Sequence, residues 1–195
     1  MTTYLSIDVG AKNMVFCKAR HTTDAPHLQI LEWAFLDCDA STVANSVSCL
    51  GHQLASMHAS MFQDVDQVLI ESQTSKNVKM KVLSHCLQYH FETSHDFYGP
   101  KQTIFCSPHS KLKICDLGSE EALRYKSNYN RNKFCAVQKC KEIIDLLVGH
   151  QVDGAEEHKR FFDTAKKQDD LADSLLQIAC RLPQFKNAPQ QQQRK

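Results

Sequence analysis

The chain has 195 residues, 42% apolar and 23% charged, with a formal net charge of +1, which allows one substantial hydrophobic core and is short for two. No apolar stretch approaches the roughly 20 residues that a membrane-spanning helix needs, the N-terminus reads as lacking a secretory leader, and nine cysteines lie scattered without paired spacing, the pattern of reduced thiols in a cytosolic or nuclear type of compartment. These features argue against membrane insertion and a disulfide framework, and predict one soluble domain over 1–186 with a polar, glutamine-rich, disordered tail over 187–195.

In chain order, apolar and polar residues alternate at short range through Tyr4, Ile7 and Val9, then Val15 to Cys17, then Leu28, Ile30, Trp33 and Phe35. With turn signals at Gly10 and over Thr22 to His27, this predicts three strands in a meander. Ser41 is the expected N-cap of a helix running through Val43, Leu50, Leu54 and Met61. A fourth strand, Val68 to Glu71, a second helix, Lys79 to Phe91, and a fifth strand, Thr103 to Cys106, follow. The stretch from Ser107 to Asn130 has little periodicity and carries lysines, which suits a functional loop. A helix from Arg131 to Val148, a polar joint over Gly149 to Glu156 and a last helix, Asp169 to Leu182, stopped by Pro183, complete the chain. The expected fold class is α/β: a mixed five-stranded sheet, three antiparallel strands then parallel ones, with helices on both faces. That is the layout of an RNase H-like domain.

Three acidic motifs stand out in this order. Asp8 ends an apolar strand in LSIDVGAKN, Glu71 ends another in VLIES, and Asp170 and Asp173 open a helix in KKQDDLADSLL. A carboxylate at the tip of a buried strand is costly unless a cation meets it, and several converging acids suit a pair of divalent ions. Such a pair, about 4 Å apart, holds the attacking and leaving oxygens of a phosphodiester in line. Positions 170 and 173 lie on one helix face; acids in a first turn also serve simply to favour the helix dipole. Asp169 reads as a capping or supporting acid. Gly10 permits either a tight turn or close approach of a phosphate, with Lys12 and Asn13 next to it.

Charge is unevenly distributed. Up to Ser75 there are three Lys/Arg against eight Asp/Glu, net −5; beyond it there are twenty against fourteen, net +6. Lys76, Lys79, Lys81, Lys111, Lys113 and Arg131 fall in the basic part, and with Lys12 they are candidate DNA-phosphate contacts, sequence-independent and salt-sensitive; ordinary solvated charge is the other reading. His85, Cys86 and His90, and Cys135 and Cys140, lack zinc-finger spacing.

The segments IDVGAKN, VLIESQ and KKQDDLADS resemble the three motifs of RuvC-type Holliday junction resolvases, most closely the branch found in poxviruses and other large DNA viruses. The resemblance runs from Leu5 to about Leu182, with CSPHSK and YNRNKF fitting more loosely. It implies a homodimeric, magnesium-dependent endodeoxyribonuclease that nicks opposing strands of a four-way junction and leaves 5′-phosphate and 3′-hydroxyl ends. By resemblance, Asp8, Glu71, Asp170 and Asp173 are metal ligands for two Mg²⁺, which Mn²⁺ replaces, and Lys133 assists catalysis at the scissile phosphate. It further implies a dimer contact through Val82, Leu83, Cys86, Leu87 and Phe91, no organic cofactor, branched DNA as the partner, and work at the cytoplasmic or nuclear site of viral DNA replication. Three competing readings remain: an RNase H-type nuclease on RNA–DNA hybrids, a catalytically silent nucleic-acid-binding module, and an ATPase of the actin and sugar-kinase type. The last shares a strand ending Asp8-Val9-Gly10 but needs a second glycine-rich site, against which six glycines in the chain argue.

Overall fold

The three N-terminal strands, β1 (Thr2–Asp8), β2 (Met14–His21) and β3 (Leu28–Leu36), form the antiparallel meander, and β4 (Gln67–Glu71) and β5 (Gln102–Cys106) join β1 in parallel. The sheet order is β3-β2-β1-β4-β5. The structure, a computed structural model, describes residues 1–24, 26–57, 59–74, 76–94 and 102–185. The tail expected over 187–195 lies outside the described residues.

Strand alternation divides the core between the two sheet faces. Leu5, Ile7 and Val9 of the β1 segment pack with Met14, Phe16, Val68 and Ile70 toward α1 (Val43–Ser56) and α2 (Val78–Thr93). Tyr4, Val15, Cys17, Ala19 and Leu69 face the opposite way. That second face is covered by α4 (Asn128–Gly149), α5 (Ala155–Thr164) and α6 (Gln168–Ala179); α3 (Glu120–Leu123) is a single turn before α4. Helix α6 is the central one. Leu171, Ala172 and every residue from Ser174 to Ala179 are buried, and Asp173 breaks the run.

Several local expectations need correction. Thr42, not Ser41, caps α1, its side chain accepting from the Asn45 amide, and the helix stops at Ser56; Met61 belongs to a separate 3₁₀ turn, Ala59–Met61. That turn is fastened by Lys18, whose buried Nζ donates to the carbonyls of Ser60 and Gln63. The aperiodic stretch after Ser107 contains a 3₁₀ turn, Ser110–Ile114, and α3. The polar joint runs into α5, which begins after Gly154 at φ +76°, a left-handed conformation that glycine adopts without strain. Among the described residues no helix is long and apolar enough to cross a membrane.

The apolar stripe expected on α2 is split. Leu83, Leu87 and Phe91 are fully buried in the core, whereas Val82 and Cys86, with Val78 and Tyr89, border an open groove of about 710 Å³ between α1 and α2.

Candidate active site

The face alternation that builds the core also delivers the acids. Ser6 points toward α6, its hydroxyl donating to Gln177 Oε1 at 3.3 Å. Asp8 is two residues on and shares its side. On β4, Leu69 packs on the α6 side and Glu71 follows with the same parity. The parallel register pairs Ile7 with Ile70, so Asp8 and Glu71 come next, side by side at the carboxyl ends of adjacent strands. Helix α6 packs against β1 and β2 and brings Asp173 to them. Carboxylate oxygens of Asp8, Glu71 and Asp173 all lie within 4.8 Å of one another.

Three acids this close repel. Asp8, 8% exposed, has its carboxyl raised well above the ordinary value, by burial first and then by the charges of Glu71 and Asp173. Asp173 is pushed up to about 6, burial again leading. One side chain opposes this trend. Lys111 Nζ sits 3.0 Å from Glu71 Oε1 and 2.5 Å from Asp173 Oδ2. Burial acts to lower the Lys111 pKa, but Asp173, Glu71 and Asp8 outweigh it and hold the ammonium protonated. Lys111 was expected among the DNA-facing lysines; at 6% exposure it is instead the internal counter-charge of the acid cluster. It reaches this position from the 3₁₀ turn that follows β5, a turn packed on α6 and anchored by buried Ile114. Lys111 closes the CSPHSK segment, whose looser resemblance marks the region without indicating that this lysine turns inward.

The other candidate residues distribute as follows. Asp170 is half-buried beside the cluster, its carboxyl raised by burial and then by Asp169, and it is not among the three acids that meet. Lys133, in the second turn of α4, pairs with Asp169 and lies 4.8 Å from the centre of the Tyr129 ring. The ion pair ties α4 to the first turn of α6. For Asp169 itself, burial acts to raise the pKa and the hydrogen bond and charge of Lys133 override it, leaving a net lowering. Lys12, Lys76, Lys81 and Lys113 are exposed. Lys79 bonds to Asp39 Oδ1 at 3.1 Å and to the Ala40 carbonyl at 2.7 Å, and half-buried Arg131 donates to the Tyr125 carbonyl. Gly10 makes a tight turn: a Cβ there would lie 2.8 Å from the Asn13 carbonyl oxygen. The adjoining Ala11 carbonyl accepts from the Cys38 amide at 2.8 Å, which fixes the loop beyond Asp8.

The architecture has known counterparts. The fowlpox virus resolvase in complex with its substrate Holliday junction DNA matches with a TM-score of 0.55 at 17% identity, over 91% of this chain and 95% of that one. A second structure of the fowlpox virus Holliday junction resolvase matches at 0.52 and 14%, over 91% and 95%. Thermus thermophilus RuvC matches at 0.52 and 10%, over 92% and 94%. No protein-family model matches the chain, and no curated protein matches its sequence. The fold is therefore of the RNase H-like class. Within that class, it is the arrangement shared by RuvC and the fowlpox virus resolvase, spanning nearly the whole of each.

Proposed function

We propose that the chain is a divalent-metal-dependent endonuclease that resolves four-way DNA junctions. The observation that carries this reading is the meeting of Asp8, Glu71 and Asp173 at the carboxyl ends of two parallel strands in a resolvase fold. Both the fowlpox virus resolvase and Thermus thermophilus RuvC are described in complex with Holliday junction DNA, which supports branched DNA as the substrate here and a role in recombination or in resolving replication intermediates. The fowlpox likeness favours a viral setting and work where viral DNA is copied.

The donor set suits a hard cation. Its ligands are carboxylate oxygens, the choice of Mg²⁺ and Mn²⁺, and one ammonium, that of Lys111, stands against three acids, so the cluster retains an excess of negative charge when ionised. Asp8, Glu71 and Asp173 would hold the metal, with Asp170 beside them as a further ligand. Divalent ions bound there would supply Lewis acidity for the attacking water and the departing 3′ oxygen, in the two-ion manner of phosphodiester hydrolysis. Lys111 then orients Glu71 and Asp173 through its two ion pairs. Lys133, held by Asp169, offers a positive charge to the phosphate. Exposed Lys12, Lys76, Lys81 and Lys113 contact phosphates along the DNA arms, and two copies joined across the α1/α2 groove would match the two-fold symmetry of a junction cut in two strands.

The deciding experiment incubates a synthetic four-way junction, an RNA–DNA hybrid and a linear duplex with the protein in Mg²⁺, Mn²⁺ or EDTA. Paired nicks in opposing junction strands, with religatable 5′-phosphate ends, are expected in either metal and not in EDTA. Asp8→Asn should stop cutting and keep junction binding. Preference for the hybrid transfers the site to an RNase H-type activity; binding without any cleavage reduces it to a silent module.

A further inference from the structure

The exposed apolar side chains of the described surface are unevenly spread. Leu123, Tyr125 and Tyr129 fall within seven consecutive residues at the α3–α4 junction, with Leu123 58% and Tyr129 65% exposed. Exposed apolar side chains this near to one another in the chain are candidates for a contact site. Between Glu121 and Glu142 the chain carries six Lys or Arg, beginning with Arg124, Lys126, Arg131 and Lys133, and no Asp or Glu. Aromatic rings interleaved with cations fit a nucleic-acid strand whose bases are unstacked, with rings receiving base faces and cations receiving phosphates.

Geometry links this patch to the acids. The Tyr129 ring lies 4.8 Å from Lys133 Nζ, Lys133 is ion-paired with Asp169, and Asp169 is one helical turn before Asp173 on α6. The patch is also braced from behind. Tyr125 packs on Phe134 with ring centres 5.0 Å apart, and Arg131 Nη2 holds the Tyr125 carbonyl at 3.2 Å. An exposed tyrosine is thus presented on a fixed helix start, two contacts away from the catalytic helix.

We propose that Tyr129 is the base-stacking residue of this site, receiving an unpaired base of a DNA strand whose phosphate passes Lys133 on its way to the acid cluster. The proposal rests on the reading that the acids cleave DNA, and it supplies what that reading lacks, a structural reason to prefer a branch point. Base pairs at a branch lack a continuous stack on one side, so their bases leave the helix at lower cost than those within a continuous duplex, which must be extracted from between two neighbours. Tyr129 acts here in substrate choice, and the hydrolytic step stays with the acids.

The test uses the full-length protein and four-way junctions carrying 2-aminopurine at single branch-point nucleotides, in EDTA, beside a linear duplex with the same probe. Wild type and Tyr129→Phe should change the fluorescence at one branch position. Tyr129→Ala should lose that change and bind the junction roughly 5- to 150-fold less tightly, the range set by one base–aromatic stack, with duplex affinity and circular dichroism unaltered. No fluorescence response from the wild type at any branch nucleotide overturns the proposal. So does a Tyr129→Ala variant that responds like the wild type, or one that weakens junction and duplex equally. Because this readout needs no cleavage, an incorrect nuclease reading shows separately, as a junction left intact in Mg²⁺ while the fluorescence response stands.

Discussion

Lys111 and Asp173 form an ion pair of 2.5 Å, and the same ammonium reaches Glu71 at 3.0 Å, so one cation joins carboxylates delivered by β4 and by α6. In the absence of metal it is the cluster's internal source of positive charge.

Lys111→Met should therefore destabilise the metal-free protein by about 3–5 kcal/mol, the usual cost of removing one partner from a buried ion pair. Added Mg²⁺ should recover part of this loss, because a bound cation restores the missing charge. Urea unfolding of wild type and variant, each in EDTA and in Mg²⁺, measures both effects; equal stability of the two proteins in EDTA would remove Lys111 from the role assigned to it.

The acid cluster also makes stability depend on pH. Asp173 is raised from 3.8 to about 6, chiefly by burial, and Asp8 is raised in the same direction. Each binds its proton more tightly folded than unfolded, so the stability it contributes is complete below the unfolded carboxyl range and is lost as pH climbs through the folded value. In EDTA, the melting temperature of wild type relative to Asp173→Asn should fall between about pH 4 and 7, and affinity for Mg²⁺ should rise over the same interval because protons and metal compete for the same oxygens.

Two glycines should respond oppositely to alanine. At Gly10 the added Cβ would meet the Asn13 carbonyl oxygen at 2.8 Å, a backbone atom, whereas at exposed Gly51 in α1 nothing lies within 4 Å. Gly10→Ala should cost about 1–3 kcal/mol through forced backbone shifts, and Gly51→Ala should gain roughly 0.5–1 kcal/mol from helix propensity. Denaturation midpoints compared at unchanged slope would show the two signs.

Phe162 is fully buried and stacked on Trp33 at 5.8 Å. Phe162→Ala should destabilise the protein by about 3–5 kcal/mol through the cavity left behind, seen as a lower melting temperature. The α6 packing is the region that loosens, since Trp33 Nε1 also donates to Ser174 of that helix at 2.9 Å.

Acids at the ends of apolar runs, in three motifs of fixed order, made much of the candidate site legible in advance. Asp8 and Glu71 each end an apolar run, and their side of the sheet follows from Tyr4, Ser6 and Leu69. Asp173 was readable because it stands three residues beyond Asp170 in the acidic KKQDDLADS motif. Lys111 was not, because it stands in a 3₁₀ turn whose sequence, SKLKI, has no period that announces burial, and only the folded turn shows which lysine goes inward. The same limit applies to α5, where AEEHKRFFDT carries one narrow apolar edge, Phe161 and Phe162, within a charged decapeptide, and the positive φ of Gly154 that opens it is a property of the backbone. The α2 stripe failed for a different reason: helical periodicity marks an apolar face without saying whether sheet or solvent lies opposite.

The pairing of Ile7 with Ile70 has a consequence for how this protein can vary. Two of its three clustered acids hang side by side from adjacent strands, one residue beyond that rung of the hydrogen-bonded ladder, so their spacing is inherited from peptide geometry and is indifferent to the composition of the loops around them. A slip of one rung would turn a whole strand's side chains to the wrong side, unmaking hearth and hydrophobic interior together. Loops at the rim are thereby left free to diverge, which is how an architecture can stay recognisable where few residues remain in common.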